Sequence, residues 1–514
     1  MSFYKSIAKV ASLTMVSRVT GFIRDILHTL LLGAGPISDA FIIAFKLPNF
    51  FRRLFGEGAF SASFVPLFSS ILTSRGKKEA LQFAQQSLAL LFCILLLIVG
   101  LAEIFMPEFM TLIAPGFKDN PVHFQYVVDF ARLTFPYLLL ISLTSLYAGV
   151  LNSFDHFGRA AAAPILLNLS MIVGLLIYKN NSLATGYALS ISVTIAGFLQ
   201  LFWLWAHAHK KDYKLKFCWP KLSPDTKMLL RKMAPVALSG SIFQVNLMVD
   251  TILASFLPKG SVSYLYFADR LSELPLGVIG VTIGTTLLPL LSKQIEQKNY
   301  KEAINSQNRS IEAAMILALP AAVALLMISE QIIHVLFGRG AFTHEAVIAT
   351  SNALEVYAIG IPAFVLSKVF TTSFFAHKDT STPLKIGIFT VLLNFVLNLV
   401  LMQYLQHVGL ALSTSISSWV QVILCFIILK KRGWYATDTL VKKRFLGYCF
   451  CASLMGGFLY FLSPYVSALI SGHFTDKILG LMALVMGGAA VYFITGAFFA
   501  GFNYKKAKKL IKGS

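Results

Sequence analysis

Apolar residues run along this chain in long stretches separated by short polar connections, and the alternation repeats fourteen times. The stretches fall at roughly 7–33, 37–58, 80–107, 124–153, 159–178, 183–208, 226–257, 263–292, 306–336, 345–376, 383–404, 408–430, 443–471 and 475–502. Such runs suit helices crossing about 30 Å of hydrocarbon, so the pattern predicts an all-α polytopic membrane protein with about 14 transmembrane helices. The second stretch breaks its own apolarity. Between Asp39 and Pro66, DAFIIAFKLPNFFRRLFGEGAFSASFVP carries Asp39, Lys46, Arg52, Arg53 and Glu57. On a helix, Asp39, Lys46, Arg53 and Glu57 share an arc of about 40°, with Asn49 about 80° from Asp39 and Arg52 about 100° beyond Arg53. Pro48 can shift the phase after it. The first stretch follows the same rule: Thr14, Ser17, Arg18, Gly21, Arg24, Asp25 and His28 share one side, opposite Met15, Val19, Ile23, Ile26 and Leu30. A central Arg or Lys against lipid costs roughly 3 kcal/mol on insertion scales, so these charges must face water, a ligand or each other. Staples such as Arg18–Asp25 and Arg53–Glu57 are the plain alternative. The Ser, Thr and Gly residues beside the charges favour a hydrated cavity.

Composition agrees with the pattern. The 514 residues are 56% hydrophobic and 13% charged, with mean hydropathy +0.72, whereas soluble domains carry about 25% charge. The first apolar run is broken by Arg18 and Arg24 and is followed by no small-residue cleavage site, so it reads as a retained span rather than a signal peptide. A net charge of +21 could suggest nucleic acid, but its placement argues for topology. Five of the 44 Lys and Arg lie in or beside odd-numbered loops (Lys118, Lys179, Lys259, Arg339, Lys477), and eight lie deep within spans (Arg18, Arg24, Lys46, Arg52, Arg53, Arg132, Arg270, Lys368). The remaining 31 lie in or beside the N-terminus, even-numbered loops and C-terminal tail, including span ends that border them. The positive-inside rule then puts both termini in the cytoplasm and leaves no need for a nucleic-acid partner. Cys93, Cys218, Cys425, Cys449 and Cys451 form neither a metal spacing nor a disulfide framework. His207 and His209 sit at a basic span end, more a solvated edge than a metal site.

An internal repeat organises the chain at an offset of about 225 residues. Pro136 matches Pro362, Asn168 matches Asn394, Phe64-Val-Pro-Leu matches Leu287-Leu-Pro-Leu, and Gly186-Tyr-Ala-Leu-Ser matches Gly409-Leu-Ala-Leu-Ser. Asp25 falls opposite Asp250. Residues 1–222 (spans 1–6) and 223–434 (spans 7–12) then form two pseudo-symmetric six-helix lobes, inserted the same way up like other parallel-repeat transporters. Residues 435–514 add two nearly uncharged spans and a basic tail, with Gly456, Gly457, Gly487 and Gly488 allowing close helix approach. In the second lobe Ser263, Tyr266, Arg270, Glu273 and Gly277 share a face, with Asp269 alongside. Asn246 and Asp250, Asn394 and Asn398, and the Ser413-Thr414-Ser415 run offer oxygens to a monovalent cation or proton, or simply hydrogen bonds between helices.

Arginine keeps its charge and grips phosphate oxygens two at a time. Arg18, Arg24, Arg52 and Arg270 would suit a multiply anionic headgroup such as a pyrophosphate. Asp25, Asp39, Glu57, Asp269 and Glu273 would hold those cations while the site is empty. No P-loop is present, so energy would come from an ion gradient or the membrane potential. A membrane glycosyltransferase using the carboxylates is disfavoured, because the loops are short and neighbouring arginines keep the acids ionised.

At these residues the chain resembles a known family. SRVTGFIRD (Ser17–Asp25), the Asp39–Pro66 stretch, APGF (Ala114–Phe117) and SVSYLYFADRLSELPLGVIGV from Ser261 are similar to the MurJ (MviN) family of bacterial lipid II flippases. That family belongs to the multidrug/oligosaccharidyl-lipid/polysaccharide exporter superfamily, and the resemblance spans the whole chain. It implies a transporter rather than an enzyme, one that moves lipid II (undecaprenyl-pyrophosphoryl-disaccharide-pentapeptide) from the cytoplasmic to the periplasmic leaflet for peptidoglycan synthesis and cell-wall biogenesis. It further implies substrate binding by Arg18, Arg24, Arg52 and Arg270, with Ser17, Asp25, Asp39, Arg53, Glu57, Ser263, Asp269 and Glu273 in the same site. The last two spans would form a groove for the lipid tail. By the same resemblance, Na+ would bind at Asp250, Asn394, Asn398 and Thr414, although Asn398 stands where such members have a second acid, and Cl- would sit near Arg24 and Asp25. The expected setting is the bacterial inner membrane, as a monomer working with cell-wall synthesis complexes. Another lipid-linked oligosaccharide flippase, for an O-antigen-type unit, is the alternative.

Overall fold

The computed structural model describes residues 3–53, 60–216, 218–470 and 473–499, and among them the chain is helical, joined by short turns. It divides into two compact units, Met1–Ser263 with Arg339–Phe342, and Tyr264–Gly338 with Thr343–Ser514. The first holds α1 (Phe3–Leu32), α2 (Pro36–Phe51), α3 (Ser61–Arg75), α4 (Lys77–Ile104), α5 (Met106–Ile113), α6 (Pro121–Thr134), α7 (Tyr137–Ser153), α8 (Phe157–Ile177), α9 (Ser182–Lys210) and α10 (Pro224–Ala254). Helix α11 (Ser261–Glu296) begins in the first unit and continues in the second. The second goes on with α12 (Tyr300–Met327), α13 (Ser329–Leu336), α14 (His344–Ala376), α15 (Ser381–Lys431), α16 (Thr439–Ile470) and α17 (Phe474–Phe499).

Local sequence explains the boundaries. Asn120, Asn181, Ser223, Asn299 and Thr343 each accept a backbone N–H three residues on, at the starts of α6, α9, α10, α12 and α14. Each satisfies one donor that a helix start leaves without a helical partner. Pro121 and Pro224 stand at first-turn positions, where no N–H is needed. The expected spans 383–404 and 408–430 both fall within α15. They meet at a kink at Gln406, whose φ of 51° and ψ of −130° are not helical.

Several elements recur at equal length further along the chain. Helices α4 and α12 both have 28 residues, starting at Lys77 and Tyr300. Helices α5 and α13 both have eight, starting at Met106 and Ser329. The Pro121–Ser153 segment and α14 both have 33, with Pro136 between α6 and α7 and Pro362 inside α14.

Nine helices among the described residues are long and apolar enough to cross a membrane. Their outward residues are themselves apolar, among them Leu97, Leu101, Leu392, Val396, Leu446, Phe461, Leu479 and Met486. Water would not tolerate so much exposed hydrocarbon, and a bilayer does. The first unit packs around an aromatic stack, with Phe64 at 5.0, 5.5 and 5.5 Å from Phe60, Phe68 and Phe83. In the second unit α16 is tied to α12 by charge: Glu312 is buried and receives Arg309, Arg444 (2.7 Å) and the Tyr448 hydroxyl. Arg309 also reaches Asp438 at 2.7 Å. Helix α17 approaches α16 closely where Gly487 and Gly488 face Phe458 and Leu459.

Candidate functional site

In the first unit, α1 carries Arg24 and Asp25 into the interior, each only 4% exposed. The guanidinium closes on its chain neighbour: Nη2 and Nε donate to Asp25 Oδ1 at 2.6 and 3.1 Å. Its Nη1 donates to Asn168 Oδ1 at 3.2 Å and touches Met171 Sδ at 3.6 Å. Asn168, on α8, donates in turn to the Ser17 carbonyl at 2.9 Å. A buried cation is thus neutralised by one carboxylate and oriented by one amide, the arrangement that makes a buried charge tolerable. Arg24, not Arg18, is the partner of Asp25. Arg18 is exposed, on a stretch where Met15, Val19 and Ile23 are exposed as well.

On α2, Asp39 is fully buried and committed to the start of α11. Its Oδ2 accepts the Gly260 N–H at 2.6 Å, and its Oδ1 accepts the Ser263 N–H at 2.9 Å and hydroxyl at 2.6 Å. Ser38 lies between Ser263 Oγ (3.0 Å) and His28 Nε2 (2.9 Å). A carboxylate at a helix N-terminus meets both orphan donors and the positive end of the dipole. Further along, Lys46 Nζ donates to Thr251 Oγ1 at 3.0 Å. Arg52 Nε donates to Asn49 Oδ1 at 3.1 Å, and Arg53 is exposed. Glu57, and with it the Arg53–Glu57 staple, lies outside the described residues.

The turn after α1 is held by the Arg339–Phe342 segment. Ala341 N donates to Leu30 O at 2.9 Å. Gly33 and Gly340 have φ of +65° and +62°, and a Cβ on either would lie 2.3 Å from Ala341 O or 2.2 Å from Leu30 O. Only glycine allows both the turn and the close backbone approach.

In the second unit, Tyr266, Arg270 and Glu273 form one stripe of α11, at i, i+4 and i+7. Arg270 Nη2 and Nε donate to Tyr266 Oη at 3.1 and 3.3 Å, and its guanidinium lies 5.2 Å from the ring centroid. The Arg270–Glu273 pair is loose, with Nη1 and Oε2 3.9 Å apart and the side chains 37% and 50% exposed. Asp269 lies next to Arg270, partly exposed. Lys368 of α14 is exposed.

The suggested cation ligands divide between the units, Asp250 in the first and Asn394, Asn398 and Thr414 in the second. Asn398 Nδ2 donates to Asn394 Oδ1 at 3.0 Å, Asn394 Nδ2 approaches Thr414 Oγ1 at 3.4 Å, and Thr414 donates to Leu410 O. Asn168, which holds Arg24, left a signal in the sequence as the repeat partner of Asn394.

Comparison with known proteins gives a consistent picture. The family model described as "Lipid II flippase MurJ" matches residues 29–480. The probable lipid II flippase MurJ of Rhizobium meliloti (strain 1021) is 38% identical over 519 residues, covering 100% of this chain and 97% of that relative. That of Rickettsia prowazekii (strain Madrid E) is 34% identical, covering 99% and 100%. Among solved structures, a lipid II flippase MurJ in an inward closed conformation matches with TM-score 0.80 at 25% identity, over 95% of this chain and 98% of that one. An inward-facing multidrug resistance MATE family transporter of the MOP superfamily shares the fold, with TM-score 0.68 at 16% identity, over 83% and 97%.

Proposed function

The chain belongs to the MurJ family, and from that premise we propose the following cycle for it as a lipid II flippase. It is a multi-pass membrane transporter, not an enzyme, and its substrate is lipid II, delivered for peptidoglycan synthesis. The headgroup enters from the cytoplasmic leaflet, its pyrophosphate is met by arginine side chains, and it leaves toward the periplasm by alternating access. The observation that carries this reading is the Arg270–Glu273 pair, a half-exposed, loosely held ion pair on α11. A structural staple would be closed and dry. This pair is open and can exchange its carboxylate for a phosphate. The buried Asp39 side chain caps the start of α11 through Gly260 and Ser263.

Residues 1–222 and 223–434 act as the two lobes, and 435–514 as the tail-binding region. The exposed Tyr460, Phe461 and Met486 of α16 and α17 support a surface on which an isoprenoid chain can lie. The protein acts as a monomer, in the bacterial cytoplasmic membrane with both termini inside, and hands lipid II to cell-wall synthesis complexes. The membrane potential, acting on the charged groups, supplies the energy. The test is reconstitution into vesicles carrying labelled lipid II, with and without an imposed potential. Protein-dependent, potential-sensitive delivery to the far leaflet is expected. Delivery of an O-antigen-type lipid-linked unit but not lipid II would point to the other substrate, and delivery of neither would overturn the reading.

A further inference from the structure

Helix α7 packs against both α4 and α9 in the first unit, and all three belong to segments long and apolar enough to cross a membrane. Between them lies a groove of about 700 Å³, within the roughly 300–1,000 Å³ of pockets that hold a whole small ligand. Its floor is Leu88 of α4 with Leu143 and Tyr147 of α7, all buried. Its open wall is Phe198, Phe202 and Trp205 of α9, which are 59%, 63% and 39% exposed. A bare apolar groove in hydrocarbon accepts any lipid chain, because lipid tails are as apolar as its lining. Selection has to come from the end of the groove.

That end is basic on both walls. On α4, Lys77 lies 11 residues before Leu88 and about 20° from it around the helix, so the stripe that supplies the floor begins with an ammonium group. On α9, Trp205 is followed one turn on by His209, whose ring lies 4.8 Å from the indole, and then by the exposed Lys210 and Lys211. The loop after α9 folds back to α4. There the Lys214 carbonyl accepts from Gln85 Nε2 at 3.3 Å, and Lys77 Nζ lies 4.9 Å from the centre of the Tyr213 ring. The acids next in sequence are engaged with other cations, Glu79 near Arg75 at 3.9 Å and Asp212 with Lys214 at 3.2 Å. Indole rings settle where hydrocarbon meets headgroups, so Trp205 puts this end of the groove at headgroup level. By the charge count it is the cytoplasmic level, and that leaflet carries anionic lipid.

We propose that the groove is a binding site for an anionic phospholipid, with one acyl chain along Phe198, Phe202 and Trp205 and the phosphate held by Lys77, Lys210 and Lys211. None of these residues belongs to the arginine site on α1, α2 and α11. The bound lipid is therefore a fixed companion of the first lobe rather than cargo, whichever lipid-linked unit the protein carries.

Trp205 itself reports occupancy, because bromine on a lipid chain quenches indole fluorescence on contact. The full-length protein carrying Trp203→Phe, Trp219→Phe, Trp419→Phe and Trp434→Phe is reconstituted into phosphatidylcholine vesicles with increasing brominated phosphatidylglycerol, or with brominated phosphatidylcholine. Each lysine at an anionic surface contributes about fivefold, so brominated phosphatidylglycerol should reach half-maximal quenching at a mole fraction at least about tenfold lower. High salt should erase that preference. Lys77→Gln combined with Lys210→Gln and Lys211→Gln should abolish it too, with quenching by phosphatidylcholine and Tm unchanged. A protein that keeps Trp419 of α15 as its one indole should show no preference. Equal quenching of Trp205 by the two lipids would overturn the proposal, as would a preference that survives both salt and the triple substitution. The same preference at Trp419 would also overturn it, marking a general attraction of a basic protein for anionic lipid. Relief of the quenching by unlabelled lipid II but not by unlabelled phosphatidylglycerol would assign the groove to an isoprenoid tail instead.

Discussion

Arg24 and Asp39 spend their charges in different ways, and each choice has a measurable consequence. Arg24 uses its fork on two partners at once, Asp25 and Asn168. Arg24→Lys keeps the charge but cannot make both contacts, and lost charge-assisted hydrogen bonds cost about 1–3 kcal/mol. Arg24→Ala leaves Asp25 buried without its cation, which costs about 3–5 kcal/mol. Unfolding in detergent should rank wild type above Lys above Ala, and growth of depleted cells should be rescued only partly by Lys. An equal Lys variant would mean the fork is not used. Asp39 spends its charge on Gly260 and Ser263. Asp39→Ala should cost about 1–2 kcal/mol as a lost helix cap. Asp39→Asn retains one acceptor and should fall between.

Helix α16 depends on Glu312 more than on its apolar face alone. That buried carboxylate receives both Arg309 and Arg444, so Glu312→Ala leaves two cations facing each other. A loss of about 3–5 kcal/mol is expected, read as a lower unfolding temperature, and replacing Arg444 at the same time should recover part of it. A variant as stable as wild type would show that α16 is held by packing. At the start of α15, Asp379 Oδ1 accepts the Ser381 and Thr382 N–H groups at 3.0 Å, and its other oxygen meets Arg432. Burial alone would raise its pKa, but the hydrogen bonds from Thr382, Arg432 and Ser381 hold it well below the ordinary carboxylate range. A depressed folded pKa stabilises above the unfolded value and is lost as pH falls through the folded one. Asp379→Asn should therefore be less stable than wild type at neutral pH, with the gap narrowing only below about pH 4. A gap that does not change with pH would assign the effect to geometry rather than charge.

For the molecule as a whole, orientation in the membrane is the property that a simple labelling experiment reads. In a background without the five cysteines, cysteines replacing Lys179 or Lys259 should react with an impermeant reagent from outside, and ones replacing Lys211 or Lys214 should not. All four positions are exposed, whereas Gly260 is buried and holds Asp39 and would be a poor reporter. Reversed labelling would overturn the charge-based topology. The helical membrane architecture was legible in the chain, because it is periodic. Crossing a bilayer demands a run of apolar residues, and a helix sorts its faces about every 3.6 residues. Which charges pair was not legible. The spacing suggested Arg18 for Asp25, because adjacent helical residues do not face one another, yet burial against Asn168 folds Arg24 back onto its neighbour. Asp39 finds its donors 221 and 224 residues away, at Gly260 and Ser263. Local sequence determines where hydrocarbon and charge lie along each helix. Only packing brings distant helices near enough for a buried charge to choose the partner that offsets its desolvation.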